Sequence, residues 1–141
     1  MIRSSIAIWK GSGKEGTGFI TSQSHALEET TYTWKSRSSN DKGTNPEELI
    51  AAAHAACFTM KLSFLLNDAG FTADSIETKS EVTAEGGVIT HSHLIVKANI
   101  PDLSQQKFEE LANKAKDTCP VSRALFLSIT MKATLTKSVL V

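Results

Sequence analysis

Hydrophobic and polar positions alternate toward both ends of this chain and lose that alternation in the middle, where an apolar run extends from Leu49 to Leu66. The two periods predict different elements. Residues 3 to 9 (RSSIAIW) and 17 to 22 (TGFITS) flank the glycine-rich turn KGSGKEG, and LEETTYTWKSR adds Thr and aromatic residues suited to a third strand, which Arg37 ends. After the polar loop SSNDKGT, Asn45 has the character of an N-cap and Pro46 suits a first helical position. Glu47 and Glu48 fill the first turn, with Glu48 at the capping-box position. The helix opened there runs to Ala69 and stops at Gly70, giving about 24 residues or about 36 Å. Its middle turns are apolar nearly all round, which predicts a central helix buried on more than one side.

The segment TADSIETKSEVTAEGGVITHSHLIVKANI returns to strand character around Glu85-Gly86-Gly87, a hairpin with Val82, Val88, Leu94 and Val96 directed inward. Ser104 caps a helix over 105–117, and Pro120 opens a shorter one through Phe126. LSITMKATLTKSV alternates cleanly and predicts a closing strand with Leu127, Ile129, Met131, Ala133 and Leu135 on its core face. This order of elements predicts an α+β fold in which antiparallel sheets wrap around a long central helix, in one domain spanning 1–141.

Charge narrows the functions rather than naming one. Fifteen basic and fifteen acidic residues cancel, and no basic run stands out, so neither nucleic acid nor an anionic membrane surface is expected as a partner. The first sixteen residues lack the apolar stretch and cleavage site of a secretory signal, which points to a cytoplasmic protein. Lys61 and His54 interrupt the longest apolar run, and a lysine at mid-bilayer costs about 3 kcal/mol, so a soluble core helix is expected there.

The candidate chemistry rests on two cysteines. Cys57 lies at helical spacing from Ala53, Met60 and Phe64, an apolar setting equally suited to a small core residue; mid-helix burial alone would raise its pKa. Cys119 precedes Pro120 and so falls at an N-cap, where thiolates are favoured, with Arg123 one turn on. No second cysteine neighbours either one, so any pairing is a product of the fold. His54 stands three residues before Cys57 as a base or metal ligand, although a histidine on an apolar face is also a common core residue. His91 and His93 share one strand face, as solvated residues also do. Glu47 and Glu48 have a plain role in complementing the helix dipole, and Arg37 a plain role at the surface.

KGTNPEELIAAAHAACFTMKLS, followed 62 positions after Cys57 (119 minus 57) by the cysteine of CPVSRAL, closely resembles the OsmC/Ohr family of thiol-dependent hydroperoxide reductases, its OsmC branch in particular. The strand with Trp9, the basic residue before KGTNPEE, the helix ending in AGF and the CPVS turn follow in the same order. The resemblance implies an intertwined homodimer with two interfacial sites, reducing organic hydroperoxides, and hydrogen peroxide more weakly. It implies Cys57 as the attacking thiol and Cys119 as its resolving partner through a disulfide. Arg37 is then the activating cation and Glu47 its orienting carboxylate; the Ohr branch draws its arginine from nearer the N-terminus, where this chain has Lys10 and Lys14. No bound cofactor or metal is implied, only an external dithiol, dihydrolipoamide-like by the same resemblance.

Helix geometry adds a condition. Ten residues separate Glu47 from Cys57, about 15 Å along one helix, so an arginine gripping Glu47 is expected to serve Cys57 of a second chain. Two other functions compete with the peroxidase: a cysteine hydrolase using Cys57 with His54 as base, and a non-enzymatic family member that binds a small apolar ligand or acts in stress response through a partner.

Overall fold

The computed structural model describes residues 1–136, so Lys137, Ser138 and Val139 of the expected closing strand lie outside the described residues. The chain forms two compact units, Met1–Leu49 and Ile50–Val141. In the first, β1 (Ser5–Lys10), β2 (Thr17–Ser22) and β3 (Thr30–Tyr32) make an antiparallel meander in the order β1-β2-β3. Trp9 and Tyr32 pack with ring centroids 5.4 Å apart. The third strand is shorter than the sequence predicts: the chain leaves the sheet after Tyr32 and makes a single 3-10 turn over Lys35–Arg37, so Arg37 ends a turn and not a strand. The reason is local. Ser36 is buried with its hydroxyl against the carbonyls of Thr33 and Thr44, and that tie requires a turn.

The second unit is built on helix α1 (Pro46–Asp68), which starts in the first unit and continues into the second, followed by β4 (Ser75–Glu85), β5 (Val88–Asn99), α2 (Gln105–Thr118), α3 (Pro120–Ala124) and β6 (Ser128–Leu135). Asp68 ends α1 one residue short of the expectation, and Gly70 follows at φ +89°, a left-handed cap that lets the Phe71 N–H reach the Leu66 carbonyl at 2.9 Å. Phe71 thereby folds back onto the core.

The sheet order is β4-β5-β6, and here the expectation of antiparallel sheets needs correction. β4 and β5 form the predicted hairpin, but β6 runs parallel to β5. Two helices intervene between β5 and β6, and a crossover of that length returns the chain to the start of its neighbour, where a tight turn would reverse it. Leu94, Val96 and Ala98 of β5 meet Phe58, Leu62, Leu65 and Leu66 of α1 and Phe108, Leu111, Ala112 and Ala115 of α2 in one core. Ile129, Met131, Ala133 and Leu135 pack against it on the face that their alternation predicts. Val88, expected inward, is 59% exposed: it sits at the hairpin tip, beyond a bulge at Thr83/Ala84 and beyond the reach of the helices.

α1 is long and apolar enough to cross a membrane by length and composition, yet its Phe58 and Leu62 face is wholly buried in this core. The expectation that it is covered on more than one side does not hold within the chain. Met60 and Phe64 are each 63% exposed, because only one helical face meets the sheet and α2. The short helix from Pro120 also stops early, at Ala124, and Phe126 is fully exposed.

Candidate active site

The loop before α1 fixes the first charged pair. Gly43, at φ +109°, lies where any Cβ would collide with the Thr31 carbonyl, and this close approach lets the Thr44 N–H bond that carbonyl at 2.9 Å. Asn45 then works in both directions: its Oδ1 accepts from the Glu48 N–H at 2.8 Å as the predicted N-cap, and its amide donates to the Ser36 carbonyl at 2.8 Å. The capping box itself does not close, since the Glu48 carboxylate accepts instead from the Thr44 hydroxyl at 3.4 Å. One side chain thus ties the turn bearing Arg37 to the first turn of α1.

That tie brings Arg37 and Glu47 together. The Arg37 Nε donates to both carboxylate oxygens of Glu47, at 3.0 and 3.2 Å, and its Nη2 donates to Oε1. The Arg37 hydrogen bond holds the Glu47 carboxyl below its usual range, outweighing the effect of burial, and the same bond raises the guanidinium further. Glu47 is mostly buried, its side chain 14% exposed, while Arg37 keeps 44% of its side chain open. Lys14, from the N-terminal region, stacks its ammonium over Trp34 at 5.8 Å from the ring centroid.

In the second unit the two cysteines meet. Cys119 is fully buried and serves as the N-cap of α3, its sulfur accepting from the Ser122 N–H at 3.3 Å and lying 3.2 Å from the Ser122 hydroxyl. Cys57 is half-buried, packed against the core, and within hydrogen-bonding reach of Cys119; both are free. Burial is the main effect on Cys57 and raises its thiol pKa, and Cys119 raises it further. The Val121 backbone N–H and the Lys61 ammonium, one turn along α1, pull the other way. A groove of about 600 Å³ opens between α1 and β4, lined by Ala56, Thr59, Met60 and Ile76 among others; Cys57 is not in its wall.

His54 is fully buried, and its two ring nitrogens are taken: Nδ1 lies 2.7 Å from the Ser92 hydroxyl and Nε2 2.8 Å from that of Ser122. It has no ring nitrogen left for Cys57, so the hydrolase arrangement of a Cys57/His54 pair is not formed. Burial lowers its pKa and keeps the imidazole neutral. His91 and His93 both bond the Thr130 hydroxyl, at 2.7 and 2.6 Å. Among the described residues no three His, Cys, Asp or Glu side chains gather as a metal site.

Similar sequences and the same fold recur in known proteins. The family model described as OsmC-like protein matches residues 39–134, a span that begins two residues after Arg37 and runs through Glu47, Cys57 and Cys119 to the closing strand. The chain belongs to the OsmC-like family. Among its relatives in that family, peroxiredoxin OsmC of Escherichia coli (strain K12) is 42% identical over 129 residues, covering 89% of this chain and 90% of the relative. Organic hydroperoxide resistance protein OhrB of Bacillus subtilis is 34% identical over 112 residues, covering 76% and 80%. The OsmC-like fold is confirmed by the crystal structure of that OhrB, which superposes with a TM-score of 0.67 at 29% identity over 94% of this chain and 98% of its own.

Sequence reasoning missed the serines. Ser92 lies on the same β5 face as Leu94, Val96 and Ala98, and a polar residue on an inward face requires a buried partner. His54, polar on the buried face of α1, was the matching signal.

Proposed function

We propose that the protein is a thiol peroxidase that reduces organic hydroperoxides to alcohols, and hydrogen peroxide more weakly, as a cytoplasmic homodimer. The observation that carries the reading is the meeting of a half-buried Cys57 on α1 with a fully buried Cys119 at the N-cap of α3. The names of the OsmC and OhrB relatives point to the same chemistry.

In this reading the Cys57 thiolate attacks the terminal peroxide oxygen: an S–O bond forms, the O–O bond breaks, and the alkoxide leaves as alcohol after taking a proton. Cys57 becomes a sulfenic acid. Cys119 then attacks the Cys57 sulfur, an S–S bond forms, and the hydroxyl leaves as water. An external dithiol, dihydrolipoamide-like, restores both thiols by exchange. No bound cofactor takes part.

The first step faces the raised Cys57 pKa, so a cation has to be supplied. Arg37 is that cation and Glu47 holds it in place. Because α1 is continuous from Pro46 to Asp68, Glu47 and Cys57 stand about 15 Å apart along it. The pair therefore serves Cys57 of the partner subunit. The exposed Met60 and Phe64 on α1 give the apolar surface that such a dimer would cover.

The test is to add cumene hydroperoxide to the reduced protein and count thiols. Wild type should lose both, Cys57→Ser should consume no peroxide, and Cys119→Ser should stop at a sulfenic or over-oxidised Cys57. Unchanged thiols in the wild type would refute the proposal.

A further inference from the structure

Cys119 is wholly buried, yet the resolving reaction consumes it as a thiolate. Its proton needs a way out. A chain of hydroxyls and one imidazole leads from it: Cys119 Sγ to Ser122 Oγ at 3.2 Å, Ser122 Oγ to His54 Nε2 at 2.8 Å, His54 Nδ1 to Ser92 Oγ at 2.7 Å, and Ser92 Oγ to Ser80 Oγ at 3.0 Å. Cys119, Ser122, His54 and Ser92 are all buried, whereas Ser80, on β4, is half-buried and so partly open to solvent. Every link is a group that can both give and take a hydrogen, and each link between Cys119 and Ser80 has one partner on each side.

We infer that this chain is a proton relay through which Cys119 is deprotonated for disulfide formation, with His54 as its central member. The inference rests on the peroxidase reading above and concerns its second step alone.

The transfer balances without a lasting buried charge. In the starting state the Cys119 S–H donates to Ser122, whose O–H donates to His54 Nε2; Nδ1–H donates to Ser92, and Ser92 to Ser80. When each group passes its hydrogen one place outward, Cys119 is left as thiolate, His54 has changed tautomer from Nδ1–H to Nε2–H, and Ser80 releases one proton to water. The Ser122 hydroxyl and backbone N–H then both point at the Cys119 sulfur and stabilise its charge. The thiolate attacks the sulfenic sulfur of Cys57, the S–S bond forms, the S–O bond breaks, and the departing hydroxide takes a proton to become water. Burial disfavours imidazolium at His54, which suits a group that passes a proton on and does not store it.

His54 touches none of the reacting atoms, so its signature is a separation of the two steps. Rapid mixing of reduced full-length protein with one equivalent of cumene hydroperoxide resolves peroxide loss from disulfide formation. In His54→Gln and Ser122→Ala, peroxide loss should stay within about twofold of wild type. Disulfide formation should slow by about 100-fold or more, the range of a lost proton-transfer group, with sulfenic Cys57 accumulating. Ser122→Thr, which keeps the hydroxyl, should recover most of the rate. Equal slowing of both steps would make His54 merely structural, and an unchanged disulfide rate would overturn the relay outright.

Two measurements decide the matter even if those variants fold poorly. In wild type, disulfide formation should slow at least twofold in D2O; an isotope effect near one overturns the proposal. Ser80→Ala, at the half-buried end, should slow disulfide formation and not peroxide loss, and wild-type behaviour there overturns it as well. Failure of the underlying reading looks different, since wild type would then consume no peroxide at all.

Discussion

Replacing Glu47 by glutamine separates the function of the Arg37–Glu47 pair from its contribution to folding. Glutamine keeps the shape of the side chain and one carbonyl acceptor but loses the charge and the second oxygen that Arg37 Nε engages at 3.2 Å. Hydrogen bonds to charged groups contribute about 1.5–3 kcal/mol each. With 44% of the Arg37 side chain exposed and one acceptor kept, the loss of alignment energy comes to about 1–2 kcal/mol. At 1.4 kcal/mol per factor of ten, peroxide turnover should fall by about 5- to 30-fold. Stability should fall by up to about 2 kcal/mol, too little to unfold the protein in the assay. An exposed ion pair contributes about 0–1 kcal/mol and an acidic residue in a first helical turn about 0.3–1 kcal/mol. The assay is initial peroxide consumption with excess dithiol, run beside a urea melt of the same variant. Glu48→Gln is the control, because Glu48 bonds Thr44 and not Arg37, and it should keep wild-type turnover. A wild-type rate in Glu47→Gln, or an activity that falls only in proportion to unfolding, would refute this role for the pair.

Two further predictions concern the core. Phe58→Ala removes a fully buried ring between α1, β5 and α2 and should cost about 3–5 kcal/mol, seen as a fall of about 10 °C or more in the thermal midpoint. Burial raises the folded pKa of the Cys57 thiol above its ordinary value of 9.0, so the folded state holds that proton more tightly than the unfolded chain. Its contribution to stability is present below that value and lost as pH rises through the folded pKa. The urea midpoint should therefore drop more steeply between pH 8 and 10.5 in wild type than in Cys57→Ala, and parallel curves would refute the assignment.

Much of the fold was legible because it follows from local rules. Asn45, Pro46 and Gly70 bracket α1 by capping chemistry that needs no tertiary context, and Ser104 and Pro120 open α2 and α3 in the same way. Alternation in β6 identified its inward face residue by residue. The direction of β6 was not legible, since alternation is the same in parallel and antiparallel strands and only the α2–α3 crossover decides it. Val88 obeyed the hairpin pattern yet stays exposed, because a pattern does not say where the helices above a sheet stop.

The same division holds for the site. The sequence by itself determined which residue types carry chemistry: two thiols, a helix start rich in acid, an arginine before it and a histidine on an apolar helical face. Their order also determined the family. Only the tertiary structure decided the pairings, because Arg37 reaches Glu47 through a turn tied by Ser36 and Asn45, and Cys57 meets Cys119 through a crossover. It also changed what His54 is. A residue that sequence placed beside Cys57 on one helix turns out to face Ser92 and Ser122, 38 and 68 positions away, since a buried imidazole settles where both of its nitrogens find partners.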